Sequence, residues 1–299
     1  MDLFKGSRGS GPDKKLIKEK NYFFLFSKEL PHIDLSRYTP GKNYYGKLFL
    51  DITALQDIFI GCGEIEKTNN KLYDTFTYVK KDTEKKTLNI PGSSLKGSVL
   101  TNMLMFMQLD SVEFFSAKKD KARVFFSDFP MTTSYDLSPQ TIPARFGPQN
   151  KAVPPHAQLK LYLKDDPAYG NLSPQEKKEL PAFENILTIK KGSGFSGFIN
   201  FKLVNEFQLT LLVLALGCLP EHRFNFKIGG AKNRAIGLIK IEINHEKSFY
   251  SENLINTSKD HALPFKNLES TLLSTVSRLK QDFPKLVEVL EKIQGEYGK

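Results

Sequence analysis

The segment Ile90-Pro91-Gly92-Ser93-Ser94-Leu95-Lys96-Gly97 places a turn, two hydroxyls and a lysine at the start of an apolar-periodic run. Pro and Gly turn the chain, and Ser93 or Ser94 can cap a helix. The amides of its first turn, with Lys96 beside them, suit a phosphate. A well-capped helix with no ligand uses the same residues. The segment lacks the Gly-Lys-Ser/Thr triplet of a P-loop. A second cluster, Gly229-Gly230-Ala231-Lys232-Asn233-Arg234-Ala235-Ile236-Gly237, lets backbone approach a phosphate closely, with Lys232 and Arg234 supplying charge. Its plainer alternative is a glycine-rich hairpin loop with incidental cations. A third, Gly192-Ser193-Gly194-Phe195-Ser196-Gly197, matches G-x-G-x-x-G but runs into a strand-like stretch where a dinucleotide site needs a helix. The Rossmann reading is rejected.

Other chemistries find little support. The histidines (His32, His156, His222, His245 and His261) are scattered, and neither H-E-x-x-H, Cys-x-x-Cys nor G-x-S-x-G occurs. His156 reads as a surface residue. Cys62 and Cys218 are too few for a disulfide framework or an all-cysteine zinc site.

The chain of 299 residues carries a formal net charge of +10. That excess favours a polyanionic partner, nucleic acid or an anionic membrane surface. Three windows hold cations and no acid: Arg145, Lys151, Lys160 and Lys164; then Lys190, Lys191 and Lys202; then Arg223, Lys227, Lys232, Arg234 and Lys240. Rich in Gly, Pro and aromatics, they suit an RNA backbone better than a membrane helix, although solvated loops are often basic. No apolar run approaches the ~20 residues of a membrane span. With no apolar leader and cleavage site at the start, a cytoplasmic location is expected.

The elements that must position these groups follow from periodicity. Leu95, Val99, Met103 and Met107 recur at helical spacing and predict a helix from about Ser94 to Leu109. Tyr22–Phe26, Gly46–Thr53, Leu72–Val79, Arg123–Asp128, Phe198–Leu203, Phe224–Ile228 and Leu238–Ile243 read as strands, and Glu206–Leu219 as an apolar helix. Pro130–Leu180 reads as a long insertion with at most one strand, Gln158–Leu163. Leu268–Ile293 predicts one or two amphipathic helices interrupted at Pro284. Strands and helices mix without regular alternation, which predicts an α+β fold on an antiparallel sheet.

Taken together and in this order, the Pro91–Gly97 helix start and the later Gly229–Gly237 loop between strands resemble the RAMP superfamily. These are the repeat-associated proteins that build CRISPR effector complexes, type III in particular. Ala235 stands where a glycine is common. Asn21-Tyr22-Phe23-Phe24, Gly46-Lys47-Leu48-Phe49-Leu50, Ile58-Phe59-Ile60-Gly61 and Phe125-Phe126-Ser127-Asp128 extend the resemblance over about residues 21 to 245. It implies a ferredoxin-like, RNA-recognition-like domain at 21–250 with a thumb inserted at about 130–180. A flexible basic arm at 1–20 precedes it and a helical tail at 251–299 follows.

The implied role is a CRISPR RNA-binding backbone subunit. Its partners would be guide RNA, target RNA, other RAMP subunits and copies of itself, with no membrane partner. The RNA-contacting set would be Gly92, Ser93, Ser94, Lys96, Arg145, Lys151, Lys191, Gly229, Gly230, Lys232 and Arg234. Some members also cut target RNA with an aspartate in the loop before the Pro-Gly-Ser-Ser-Leu-Lys-Gly helix, helped by a divalent metal such as Mg²⁺. Asp74, the lone acid in Asn69–Lys81, is the counterpart, with Asp57, Glu64 and Glu66 as alternatives. A non-cleaving subunit in which Asp74 is a turn residue remains the other option, as does a free-standing RNA-binding module.

Overall fold

In Asn43–Ala54 (β1), buried Tyr44, Leu48, Leu50, Ile52 and Ala54 alternate with more open Tyr45, Lys47, Phe49, Asp51 and Thr53, the period-two pattern of a strand with one face on a core. The computed structural model describes residues 22–26, 42–68, 71–76, 78–80, 86–106, 115, 122–134, 136–143, 158–162, 164–165, 173–175, 183–252 and 262–298. The basic arm at 1–20, and Arg145 and Lys151, lie outside the described residues. Gly92–Phe106 (α1), Val124–Phe126 (β2), Gly194–Asn205 (β3), Glu206–Ala215 (α2) and Leu238–Ile243 (β4) follow in chain order. All the sheet pairings are antiparallel, in the order β4-β1-β3-β2. The result is an α+β fold of ferredoxin-like topology. The expected Gly46–Thr53 and Phe198–Leu203 strands are both longer than their alternation suggested, and Glu206–Leu219 ends sooner, at Ala215.

α1 turns Leu95, Val99, Met103 and Phe106 onto the sheet. Its buried Asn102 is satisfied, with Nδ2 donating to the Ala215 carbonyl at the end of α2 (2.8 Å). α2 is buried nearly all round because it lies between the sheet and other helices, which is why it shows no polar face. A capping box starts it: the Gln208 amide donates to the Asn205 side chain and Gln208 accepts from the Asn205 amide.

Glu269–Asp282 (α3) and Pro284–Tyr297 (α4) break at Pro284, which sits at the first turn of α4, where its missing N–H costs nothing. Leu272, Val276, Leu279, Leu286, Leu290, Ile293 and Tyr297 belong to the same apolar core as the sheet. α3 packs on α2 and α4 on α1.

Two insertions build a second sheet. Gly61–Thr68 and Lys71–Phe76 come from the β1–α1 connection, while Leu137–Pro143 and Phe183–Ile189 come from the β2–β3 connection. They pair in the order 61–68, 71–76, 183–189, 137–143, with the 71–76 and 183–189 strands parallel at Asp74 and Ile186. The expectation of a single strand in Pro130–Leu180 is therefore corrected: Leu137–Pro143 is a strand as well as Gln158–Tyr162, which pairs with Tyr22–Phe26. Pro139 and Pro143 argued against it from sequence, but it is the edge strand, where a residue without an amide donor is tolerated. Gly61 and Gly63 also lie in a strand, with an irregular register between Gly61 and Ile65.

Candidate nucleic-acid interface

The start of α1 is held by the chain that leaves β2. A Cβ at Gly92 would lie 2.5 Å from the carbonyl oxygens of Phe126 and Ser127, so glycine alone fits that crossing. The Gly92 amide donates to Asp128 Oδ1 (2.9 Å), and the Ser94 and Leu95 amides donate to the Pro91 carbonyl. The anion at this helix start is thus the protein's own Asp128 carboxylate, which caps the amide and complements the helix dipole. Those amides are already engaged. An external phosphate here would meet the hydroxyls of Ser93, which is exposed, and of Ser94.

The glycine loop is fastened to the segment after β1. Gly230 N–H donates to the Phe59 carbonyl, Gly237 N–H to the Asp57 carbonyl and Ile228 N–H to the Gly237 carbonyl, each at 2.8 Å. Gly229 has a φ of +80°, and a Cβ there would lie 2.1 Å from the Phe59 oxygen. The buried Lys227 reaches up from beneath, its Nζ donating to the Lys232 carbonyl (2.7 Å). Ala235 adopts the left-handed conformation (φ 54°) that the commoner glycine would take, so the loop keeps its shape.

These two motifs meet. Ser93, Ser94 and Gly97 of α1 face Gly229, Gly230 and Lys232 across a groove of about 390 Å³, floored on one side by Ile60 and Gly61. Lys96 points elsewhere, its Nζ 5.3 Å from the Phe115 ring centroid. With Arg123, Phe125 and Lys202 it lines a separate cleft of about 570 Å³. Arg234 and Lys191 line a third cavity of about 600 Å³ with Asp57, Gln140 and Lys164. The 3₁₀ turn at Lys232–Arg234 therefore sends its two cations to different cavities rather than into one patch.

Asp74 sits behind the rim of the groove. A Cβ at Gly61 would lie 3.1 Å from Asp74 Oδ2, and Asp74 Oδ1 is buried with no hydrogen-bond partner among the described residues. Asp57, one of its alternatives, is a clamp instead: Oδ1 accepts from the Lys191 amide (2.8 Å) and Oδ2 from the Gln140 side chain and Thr188 Oγ1. Glu64 is exposed on the hairpin strand that also carries Glu66. Among the described residues no group of three His, Cys, Asp or Glu side chains is placed to hold a metal ion. A divalent cation at Asp74 would need most of its ligands from RNA phosphates and water.

No family model matches the sequence, and no curated protein matches it. The chain is similar to a chain in the cryo-EM structure of the Type III-B Cmr-beta bound to cognate target RNA, at 18% sequence identity and a TM-score of 0.41. The likeness covers 67% of this chain, which spans 61% of that one.

Cys62 and Cys218 are both free, and burial pushes the Cys218 thiol far up, away from thiolate chemistry. Burial holds the His222 imidazole below its ordinary value. No helix among the described residues is long and apolar enough to cross a membrane. Arg123, Phe125 and Asp128 were not among the candidate site residues of the sequence, and Lys202 and Lys227 entered only as cations of the basic windows. Nothing in Val124-Phe125-Phe126, apolar throughout, marks the central ring as the exposed one.

Proposed function

We propose that this chain is a guide-RNA-binding backbone subunit of a type III-like CRISPR effector ribonucleoprotein, working in the cytoplasm with target RNA, other RAMP subunits and further copies of itself. The observation that carries this reading is the convergence of the Pro91–Gly97 helix start and the Gly229–Gly237 loop on one groove, from opposite ends of a ferredoxin-like core. Their meeting, with serine hydroxyls on one wall and glycine backbone and Lys232 on the other, makes a wall pair for a sugar–phosphate backbone. The insertion at about 130–180, in this reading, is the thumb that kinks the guide–target duplex.

Phosphate contact makes affinity fall with salt, by about 0.7 in log–log slope for each phosphate neutralised on a single strand. Lys232→Ala is expected to lower that slope for guide RNA by about one such contact. Arg234→Ala, in a different cavity, is expected to act independently of it. An unchanged slope for Lys232→Ala in a folded protein removes the groove from the RNA path. Sequencing the RNA that copurifies from the native operon separates a CRISPR subunit from a free-standing RNA-binding module.

A second reading is favoured by Asp74. Its carboxylate lies against Gly61, which lines the groove, and keeps one oxygen without a partner among the described residues. In this reading Asp74 would be the residue that holds a divalent cation such as Mg²⁺, which would supply charge stabilisation at a reacting phosphate. In the assembled complex with matched target RNA and Mg²⁺ or Mn²⁺, Asp74→Ala is then expected to abolish regularly spaced cuts while guide binding persists. Cutting at the native rate by Asp74→Ala, or a native complex that binds target without cutting, leaves the subunit a binder alone.

A further inference from the structure

The face of the sheet turned away from α1 and α2 carries an arrangement that the groove does not use. Phe49 of β1 and Phe198 of β3 are cross-strand partners, their ring centroids 6.0 Å apart at an interplanar angle of 54°. Lys47 Nζ stands over both rings, 4.3 Å from the Phe198 centroid and 5.5 Å from that of Phe49. One register along, Phe125 of β2, Asn200 of β3 and Lys47 of β1 lie side by side on the same face. Phe125 is 60% exposed. Phe125 thus adds an open ring to the face that carries the Phe49–Phe198 pair.

The edge of this face is cationic. The cleft of about 570 Å³ beside Phe125 is lined by Lys96, Arg123 and Lys202. The acids of the same face lie beyond Phe49, away from that cleft: Asp51 accepts from the Asn244 side chain and Glu242 pairs with Lys240 at 2.8 Å. Aromatic faces in a row with an amide between them, bordered by positive charge, fit one kind of occupant. Successive bases of a single strand stack on such rings while its phosphates follow the cations, as they do on the aromatic-bearing sheets of RNA-reading proteins.

We infer that the face of the sheet turned away from α1 and α2 is a second RNA-binding surface, which takes an unpaired single-stranded segment by stacking bases on Phe125, Phe198 and Phe49. Phe125 offers the first open ring. At Phe198 the incoming base replaces the Lys47 ammonium over the ring, and the ammonium moves to the adjoining phosphate. Asn200 supplies a donor and an acceptor to base edges, and the cleft at Lys96, Arg123 and Lys202 receives the phosphates. The inference deepens the RNA-binding reading and rests on it, but it concerns bases, whereas the groove concerns backbone.

The test compares hexauridine with an abasic ribose-phosphate hexamer, titrated into the whole protein. Native protein is expected to bind hexauridine more tightly than the abasic strand. Phe125→Ala and Phe198→Ala are each expected to weaken hexauridine on the order of tenfold, the worth of one base–aromatic stack, and to leave abasic binding and the salt slope unchanged. Phe125→Ala changes an exposed side chain, so it tests the face without unsettling the core; thermal midpoints confirm this for both variants. Lys232→Ala is expected to do the reverse, lowering the salt slope without altering the preference for bases. Equal binding of the two strands by the native protein overturns this inference and leaves the backbone groove standing. Phenylalanine variants that bind hexauridine as tightly as native protein, or that lose both strands alike, overturn it too. A native protein that binds neither strand overturns the RNA reading itself.

Discussion

Gly229→Val is expected to cost the protein at least tenfold in affinity for guide RNA and to lower its salt slope, while the secondary structure of the sheet persists. Two causes act together. The added Cβ would lie 2.1 Å from the Phe59 carbonyl oxygen, and the φ of +80° is one that a β-branched residue avoids. The loop must therefore lift from the 57–60 segment, giving up the Gly230–Phe59 and Gly237–Asp57 hydrogen bonds. Lys232 then leaves the groove it shares with Ser93 and Ser94. A hydrogen bond to a charged group is worth about 1.5–3 kcal/mol, so losing one alone weakens binding tenfold or more. Gly295→Ala is the control, since an added Cβ there meets no atom within 4 Å. Filter binding at several salt concentrations, with circular dichroism beside it, measures the effect. Native affinity for Gly229→Val would detach the loop from RNA.

Ending the chain after Glu252 is expected to abolish the cooperative unfolding transition. The lost segment carries Leu272, Val276, Leu279, Leu286, Leu290 and Ile293, each at most 1% exposed, and Tyr297 beside them. Each such side chain contributes about 1.5–3 kcal/mol by its burial, against a net stability of about 5–15 kcal/mol for a whole domain. The truncation also strips α3 from the buried α2 and breaks the bonds by which the Asn225 amide and side chain hold the Tyr297 carbonyl. Leu272→Ala, a milder probe of the same contact, should cost about 2–5 kcal/mol. Differential scanning calorimetry decides. A truncated chain that melts sharply at the native temperature would show α3 and α4 to be an appendage.

What could be read beforehand was whatever is written locally. Leu95, Val99 and Met103 announce α1 because helical spacing is a property of one segment, and Leu238–Ile243 was bounded to the residue for the same reason. Pairings left no such mark. The order β4-β1-β3-β2 joins residues far apart in sequence, and the second sheet joins two insertions that each look like loops. Asp128 was missed because its partner, the Gly92 amide, is 36 residues away. Lys232 and Arg234 read as one charge patch because they are neighbours in sequence, and the intervening 3₁₀ turn separates them in space. The convergence of helix start and glycine loop followed from the order of the motifs only through a resemblance, since nothing in either motif specifies the other.

The second sheet has a consequence in time as well as in space. Its parallel bridge at Asp74 and Ile186 unites the two insertions, and contacts between such distant positions form slowly because a long loop must close before any bond rewards it. Until the 183–189 strand has left the ribosome, Lys71–Phe76 presents an unpaired edge on the side away from Gly61–Thr68. The groove is thus a late product of biosynthesis, because its glycine-loop wall is made after both insertions. On the RNA-binding reading proposed above, a nascent chain carrying the helix start alone would have no finished groove to offer a guide, and RNA capture would wait until the glycine loop had been made.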